Sequence, residues 1–391
     1  MNRKVLFVHD GPIYYEPDSI KYYGVHYNDE LINRYLYFGS QISFLMRKKE
    51  VDYATARNLS QITESNFSFI EIPNFKSIKT FFKNNIKARK IIKEQINNYD
   101  IIIIRLPSAA GSIALKYAKK MNKPVLIEFV SCVFDALWNY DLRGKLIAHY
   151  KLFKYKKIMK QANHTIYVTN QFLQYRYPAK GKSISCSNVE LPPLSNDILR
   201  KRLEKIQNHE GIFVLCTIAA LDVPYKGQAD VIKALGKLKK KGIFFKYILI
   251  GQGKHEKIKK IIEKNDVEDL VEIVGTVFHN KIFQLLKGVN VYIQPSRTEG
   301  LPRAVLEAMS MACPCLGSRV GGIPELLDGS CLFAPGDVNK IMYLLSGIDK
   351  NWLLINALRN FTRALEYQKP VLDAKRQSFY REFLCDYGLN S

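Results

Sequence analysis

Two glutamates, Glu299 and Glu307, frame the segment of this 391-residue chain whose residue types could do the most chemistry. The run from Tyr292 to Ala312 reads as a strand ending at Gln294, a turn, and a helix with Pro302 at its first position, where proline is favoured. The N–H groups about Gly300 and Leu301, with the helix dipole behind them, make an anion site, and Gly300 lets a phosphate approach the backbone. Within the helix Ala304, Val305, Leu306, Ala308, Met309 and Met311 surround Glu307, which predicts that it is buried. A buried carboxylate needs partners. Two adjacent hydroxyls, as on a ribose, would serve, and so would a Lys or Arg from elsewhere in the chain; the residues alone fit both. Glu299, at the mouth of the turn, is placed either to touch a ligand or to cap the helix. Lys226, in Tyr225-Lys226-Gly227, is placed either to meet an anion or to be one more surface lysine.

The elements that must position these residues follow from pattern. Short apolar runs alternate with longer amphipathic stretches, the mark of parallel β-α-β units. Strands are expected at Val5 to Val8, Gln41 to Leu45, Phe67 to Ile72, Ile101 to Arg105, Val125 to Phe129 and Thr165 to Val168, with helices at Asp29 to Phe38, Ser77 to Asn97, Ala109 to Lys120 and Leu142 to Gln161. The periodicity breaks at Leu191-Pro192-Pro193-Leu194-Ser195, and a second series begins with a strand at Gly211 to Thr217. It continues with strands at Phe245 to Ile250, Val271 to Val274, Val291 to Gln294 and Cys315 to Ser318, and helices at Ala229 to Lys240, His255 to Lys264, Asn280 to Lys287 and Pro302 to Met311. Two successive open α/β domains are therefore expected, divided at 195/196, with a cleft between them, because such sheets bind ligands beyond the carboxyl ends of their strands.

Composition narrows the partners. Hydrophobic residues at 47% and charged residues at 24% exclude a disordered chain. Lys and Arg total 59 against 36 Asp and Glu, a net +23, which points to anionic partners. Residues 1–195 hold 30 basic and 15 acidic side chains and are the more basic half. Two stretches there, Lys76 to Gln95 and Asp141 to Lys160, each interleave seven basic residues with Phe, Ile, Leu or Tyr; on a helix that pattern suits an anionic bilayer or a plain solvated face. Seven cysteines without a C-x-x-C pair indicate neither a disulfide framework nor a zinc ribbon, so a reducing cytoplasm is expected. The apolar run Val5 to Val8 is too short for a signal-peptide core, and no stretch reaches transmembrane length, which leaves peripheral contact as the expected mode of membrane association.

The glutamate pair in Glu299-Gly-Leu-Pro-Arg-Ala-Val-Leu-Glu307-Ala-Met, followed by Gly317-Ser-Arg-Val-Gly-Gly-Ile-Pro-Glu-Leu326, resembles the signature of group 1, family-4 retaining glycosyltransferases of the GT-B fold. The likeness extends through Tyr225-Lys226-Gly227 and Ile248-Leu-Ile-Gly-Gln-Gly253, and more loosely over the first domain, where Glu128 to Trp138 is similar to bacterial surface-polysaccharide enzymes. The resemblance implies a GT-B architecture of two Rossmann-like domains facing a central cleft. Residues 1–195 would bind the acceptor, 196–370 the nucleotide sugar, and a last helix within 371–391 would cross back to the first domain. It implies that Glu307 binds the ribose hydroxyls, that Glu299 contacts the donor sugar, and that Lys226 with the backbone from Gly300 through Leu301 to Pro302 holds the diphosphate. Those cations and N–H donors would offset the charge that develops on the departing nucleoside diphosphate. No cofactor or metal is expected, since the chain has no Asp-x-Asp pair and its histidines are scattered.

The sequence departs from the family in two places. Ala219-Ala220 stands where relatives carry Gly-Arg, so Arg303 or a first-domain residue is the expected second phosphate cation. No histidine follows the fifth strand, which leaves Asp135 or Glu128 as the polar contact to the sugar, each equally fit for a structural role. Gly11, in Asp10-Gly11-Pro12, is expected in a loop after the first strand near the donor phosphates or in an ordinary turn. Tyr14, Tyr15, Tyr22, Tyr23 and Tyr27 could stack on an acceptor sugar or pack in the core, and His9 is a minor candidate at a strand end. The expected activity is metal-independent, retaining transfer from a nucleotide sugar, a UDP-sugar favoured, to a lipid-linked glycan at the inner face of a bacterial membrane. A GT-B nucleotide-sugar epimerase and a basic nucleic-acid-binding protein are the rival readings. The second is disfavoured because the basic residues spread over both domains without a binding motif.

Overall fold

The computed structural model describes residues 2–25, 27–57, 59–75 and 81–389. Ser77 to Thr80 of the expected helix, the basic Lys76, and Asn390 and Ser391 of the 371–391 segment lie outside the described residues.

The first part of the chain runs β1 (Lys4–Glu16), β2 (Lys21–Gly24), α1 (Asp29–Tyr35), β3 (Gln41–Glu50), α2 (Tyr53–Ala56), β4 (Ser60–Gln61), β5 (Phe67–Glu71), α3 (Phe81–Asn98), β6 (Ile101–Leu106), α4 (Ala109–Lys120), β7 (Val125–Phe129), α5 (Val133–Trp138), α6 (Leu142–Met159), β8 (His164–Tyr167), α7 (Phe172–Arg176) and β9 (Lys182–Ser185). It continues with α8 (Asn196–Gln207), β10 (Phe213–Ile218), α9 (Gln228–Lys239), β11 (Phe245–Ile250), α10 (Glu256–Lys264), β12 (Val271–Gly275), α11 (His279–Gly288), β13 (Val291–Gln294), α12 (Arg303–Ser310), β14 (Cys315–Ser318), β15 (Leu332–Phe333), α13 (Val338–Ser346), α14 (Lys350–Leu365) and α15 (Lys369–Asp386).

Strands buried on both faces read as unbroken apolar runs, and β6 and β7 are buried at every residue. The first sheet stacks β5, β3, β1, β6, β7, β8 and β9 in parallel, with β2 added antiparallel to β1 and β4 antiparallel to β2. The second sheet is parallel throughout, in the order β12-β11-β10-β13-β14-β15. In each sheet the strand order reverses beside the first strand, between β1 and β6 and between β10 and β13, which is where such sheets open a ligand crevice.

One expectation is corrected here. Asp10-Gly11-Pro12 is not a loop: β1 shifts register between Val8 and Pro12 and then continues to Glu16. The continuation is held by a hairpin in which Tyr14, Tyr15 and Glu16 pair with Tyr23, Tyr22 and Lys21. Tyr22 packs its ring 5.3 Å from that of Tyr15 and 5.2 Å from that of Phe69, so these tyrosines serve sheet packing. The bulge breaks the period-two alternation, which is why the strand seems to stop at Val8 when read from pattern alone.

The last helix, α15, returns to the first sheet. Tyr380 packs 4.4 Å from the Phe38 ring, Asp386 meets His164 Nε2 at 2.8 Å, and Arg376 donates to the Ser187 carbonyl at 2.9 Å. Helix α8 faces the second sheet, where the buried Arg202 donates to the carbonyls of Leu286, Val289 and Met311. One apolar cluster runs from one face of the first sheet into the second domain, another lies on the opposite face of the first sheet, and Leu301 packs against both. No described helix is long and apolar enough to cross a membrane.

Candidate active site

At the switch point of the second sheet, the segments after β10 and β13 press together. Gly227 has φ +77°, and a Cβ there would sit 2.0 Å from the Pro295 carbonyl oxygen, so only glycine fits. This approach brings Lys226 to Glu299: Nζ donates to Oε1 at 2.7 Å, and Gln294 Nε2 donates to the same oxygen at 3.1 Å. Helices α9 and α12 begin here with no side-chain cap, so their first N–H groups and positive dipole ends face the same place. Arg297, in the loop leading to Glu299, donates to Asp230 of α9 at 2.8 Å.

Glu307 is buried, as its apolar neighbours on the helix require. Its Oε1 lies 3.0 Å from His279 Nε2, a histidine partner that the sequence did not suggest. The hydrogen bond to Glu307 raises the His279 pKa, while burial and the Arg303 charge pull it the other way. Arg303 is thus close to the same pair, on the first turn of α12.

The first domain supplies the opposite wall. A Cβ on Gly300 would lie 2.4 Å from the Val130 carbonyl oxygen, and Asn139 Nδ2 donates to the Arg297 carbonyl at 3.1 Å, so residues 130–139 close on the loop that carries Glu299. Asp135, on α5, is ion-paired with Arg176. Glu128 is fully buried and receives Arg105 Nε and Nη2 at 2.9 and 2.8 Å, while that guanidinium lies 5.0 Å from the Phe7 ring centre and 3.2 Å from the Tyr35 hydroxyl. Burial pushes the Glu128 carboxyl up, but Arg105 and Arg34 pull it further down, to below the usual carboxylate range. Glu128 is therefore half of a structural ion pair. Gly11 sits against Tyr27, whose hydroxyl would be 2.6 Å from an added Cβ, and its N–H donates to His9 Nδ1 at 2.9 Å. The carboxylate of Asp10 takes the N–H groups of Ala109 and Ala110 at 2.8 and 2.7 Å, which fills the start of α4 with the chain's own anion. Lys226, Glu299, Gly300, Leu301, Pro302, Arg303 and Glu307 thus gather on the second-domain wall, Asp135 lies on the segment that faces it, and Gly11 belongs to the interior of β1.

Four residues went unnoticed in sequence. His279 and the Arg297–Asp230 pair carried no motif. Glu325 lay inside the recognised motif but had no assigned role; its carboxylate accepts the N–H groups of Gln171 and Phe172 at 3.0 and 2.7 Å, along with that of Asn170.

Residues 212–347 match the family described as Glycosyl transferases group 1. The chain is 30% identical to protein CapJ of Staphylococcus aureus over 394 residues, covering 99% of this chain and 98% of that one. It is 36% identical over 130 residues to the amylovoran biosynthesis glycosyltransferase AmsK of Erwinia amylovora, covering 31% of this chain and 32% of AmsK. The solved structure of Anabaena HepE in complex with UDP and glucose superposes with a TM-score of 0.66 at 16% identity, covering 98% of this chain and all of that one. The fold is GT-B, two Rossmann-like domains facing a central cleft. The chain belongs to the group 1 glycosyltransferases and is a transferase of glycosyl groups.

Proposed function

We propose that this enzyme moves a sugar from a nucleotide sugar, a UDP-sugar before others, to a glycan acceptor with retention of anomeric configuration and without a metal ion. The observation that carries the reading is the meeting of Lys226 and Glu299 between the uncapped starts of α9 and α12. A departing nucleoside diphosphate gathers negative charge. The Lys226 ammonium, the N–H groups about Gly300 and Leu301 and the Arg303 guanidinium on the first turn of α12 form a fixed positive field for it, the part a divalent cation plays elsewhere. Pro302, which has no N–H to satisfy, keeps that turn open at no hydrogen-bonding cost. Glu307 takes the ribose hydroxyls on the oxygen not engaged by His279, and Glu299 holds a hydroxyl of the donor sugar. Asp135 contributes from the opposite wall as a polar contact to the sugar. The acceptor binds on the first domain, 1–195, and the donor on 196–370. The likeness to AmsK, an amylovoran biosynthesis glycosyltransferase, supports a place in the assembly of capsule, O-antigen or exopolysaccharide. The acceptor in this reading is lipid-linked and reached from the cytoplasmic side.

A thermal-shift titration with UDP, GDP and ADP, with and without magnesium, tests the donor half, because a ligand that binds only the folded state raises its melting temperature. UDP is expected to raise it equally under both conditions, and Glu307→Ala is expected to weaken UDP binding by about 1 to 3 kcal/mol, the scale of lost charge-assisted hydrogen bonds. A folded Glu307→Ala protein with unchanged UDP affinity removes Glu307 from the site. A product with inverted anomeric configuration, read by NMR, overturns retention.

A further inference from the structure

We propose that the outer face of α6 lies on an anionic lipid surface and holds the mouth of the cleft at the membrane, an inference that rests on the reading of the acceptor as lipid-linked. Helix α6 is apolar on two opposite faces. Gly144, Ala148, Tyr155 and Met159 are buried against the first domain. Directly opposite stand Leu142, Leu146, Tyr150 and Phe153, exposed to 79%, 83%, 63% and 68%. Their spacing of four, four and three residues sets them on one stripe. A single exposed leucine needs no explanation, but a continuous stripe does. Tyr140, exposed to 72% just before the helix, extends it.

Charge decides what covers the stripe. Arg143 and Lys154 fall on one shoulder of the helix and Lys145 and Lys156 on the other, and no Asp or Glu occurs from Leu142 to Lys160. Long basic side chains can lay their stems along an apolar surface and put their cations at the level of lipid phosphates. Burial together with the like charges of Lys151 and Arg89 lowers the pKa of Lys154, against a smaller opposing pull from Asp10, so cations from α6 and α3 crowd one another here. A second copy of the chain laid on the same face would bring the same cations against them. An anionic bilayer complements both the stripe and its shoulders.

The face is one short helix away from the chemistry. Phe134 and Trp138 of α5 stack 5.5 Å apart and meet the His149 ring of α6 at 5.2 and 5.7 Å, while Asn139, which follows α5, donates to the Arg297 carbonyl in the loop that carries Glu299. A protein lying on α6 therefore presents the α5 edge of the cleft next to the bilayer, where the glycan of a lipid-linked acceptor emerges.

Flotation of the full chain with vesicles of equimolar phosphatidylglycerol and phosphatidylcholine, against pure phosphatidylcholine, tests the surface at low salt. The wild type is expected to partition at least about tenfold better onto the anionic vesicles, and the double variant Leu146→Glu, Phe153→Glu to lose at least about tenfold of that binding, because affinity follows buried apolar area and lipid charge. These side chains are exposed, so the variant is expected to fold and to keep the UDP-induced melting shift, which checks both at once. Lys145→Glu with Lys156→Glu is expected to weaken flotation and flatten its salt dependence. A wild type that stays with the soluble fraction overturns the proposal. So does a double variant that floats like the wild type, or size-exclusion data in which the wild type dimerises through this face and the double variant does not. Flotation needs no acceptor: a protein that floats by α6 yet prefers a water-soluble acceptor would refute the lipid-linked reading and leave the docking surface standing.

Discussion

Glu307 and His279 are held 3.0 Å apart with the carboxylate nearly enclosed and the imidazole about half exposed, so one partner is costly to bury alone and the other can exchange protons with solvent. The hydrogen bond to Glu307 favours the imidazolium and raises the His279 pKa above its ordinary value of about 6.5. A group whose pKa is raised on folding stabilises the fold fully below its unfolded value and loses that contribution as pH climbs through the folded one. The difference in melting temperature between wild type and His279→Asn is therefore expected to be widest below about pH 6.5 and to close in mildly alkaline buffer. Melting curves across that range check it, and a difference constant in pH would give His279 a packing role alone. The acidic side behaves oppositely at Glu128, whose carboxyl Arg105 depresses; its contribution is present above the unfolded carboxylate pKa and fades as pH falls through the lower folded one. That Glu307 needs a partner was legible from the apolar helix around it. That the partner is His279 was not, because the two residues belong to different crossover connections and no periodicity relates them.

The elements that hold this pair depend on a helix outside either sheet. Arg202 of α8 is buried and donates to the carbonyls of Leu286 and Met311 at 2.8 and 3.1 Å and to that of Val289, thereby fixing the carboxyl ends of α11 and α12, the helices that carry His279 and Glu307. Arg202→Met would take a charged donor from three carbonyl oxygens at once, leaving that of Leu286 with the Val289 N–H at 3.3 Å and that of Val289 with Lys205 Nζ at 3.5 Å, at about 1 kcal/mol apiece. Urea unfolding is expected to show a loss of about 3 kcal/mol, with weaker UDP binding alongside. A loss under about 1 kcal/mol would mean that water takes over from the guanidinium. Arg202 was invisible in sequence as anything but one charge on a polar helix, since its acceptors lie more than eighty positions away. The parallel strands were the easy part. Val125–Phe129, Phe245–Ile250, Val291–Gln294 and Cys315–Ser318 have the bounds their mainly apolar runs imply, because burial on both faces favours apolar side chains; the charged residues inside them are Glu128, which is paired with Arg105, and Lys246, which is exposed. The continuation of β1, with β2, β4 and β9, was missed because these pieces are short or bulged and are held by pairing across the hairpin or at a sheet edge, which leaves little alternation to read.

At the scale of the whole molecule, the two domains meet through main chain as much as through side chains. The Glu325 carboxylate, from the second domain, accepts the N–H groups of Asn170, Gln171 and Phe172 and so caps α7 of the first, while Arg363 of α14 donates to the Glu325 carbonyl at 3.0 Å and anchors the residue from behind. Close by, a Cβ on Gly322 would lie 3.1 Å from a Thr169 methyl group, and Gly300 abuts Val130, so the glycines of the motif let the two backbones approach where Leu301 joins the cores. Charge-assisted bonds of this kind are each worth about 1.5 to 3 kcal/mol, although three on one carboxylate do not add. The contact sits beside Glu299 and Gly300 but leaves Lys226 and Glu307 untouched, which separates its expected effect from that of the donor-site variants. Glu325→Ala should therefore bind UDP with the wild-type melting shift while turning over about tenfold more slowly, because transfer needs both walls of the cleft in register and a misplacement of about 1 Å is costly. Small-angle X-ray scattering should show a larger radius of gyration for the variant, and Glu325→Gln should fall between the two, since an amide oxygen still accepts from an N–H group but carries no charge toward the helix start. Wild-type turnover in Glu325→Ala would mean that the two domains keep their register through Leu301 and the glycine contacts alone.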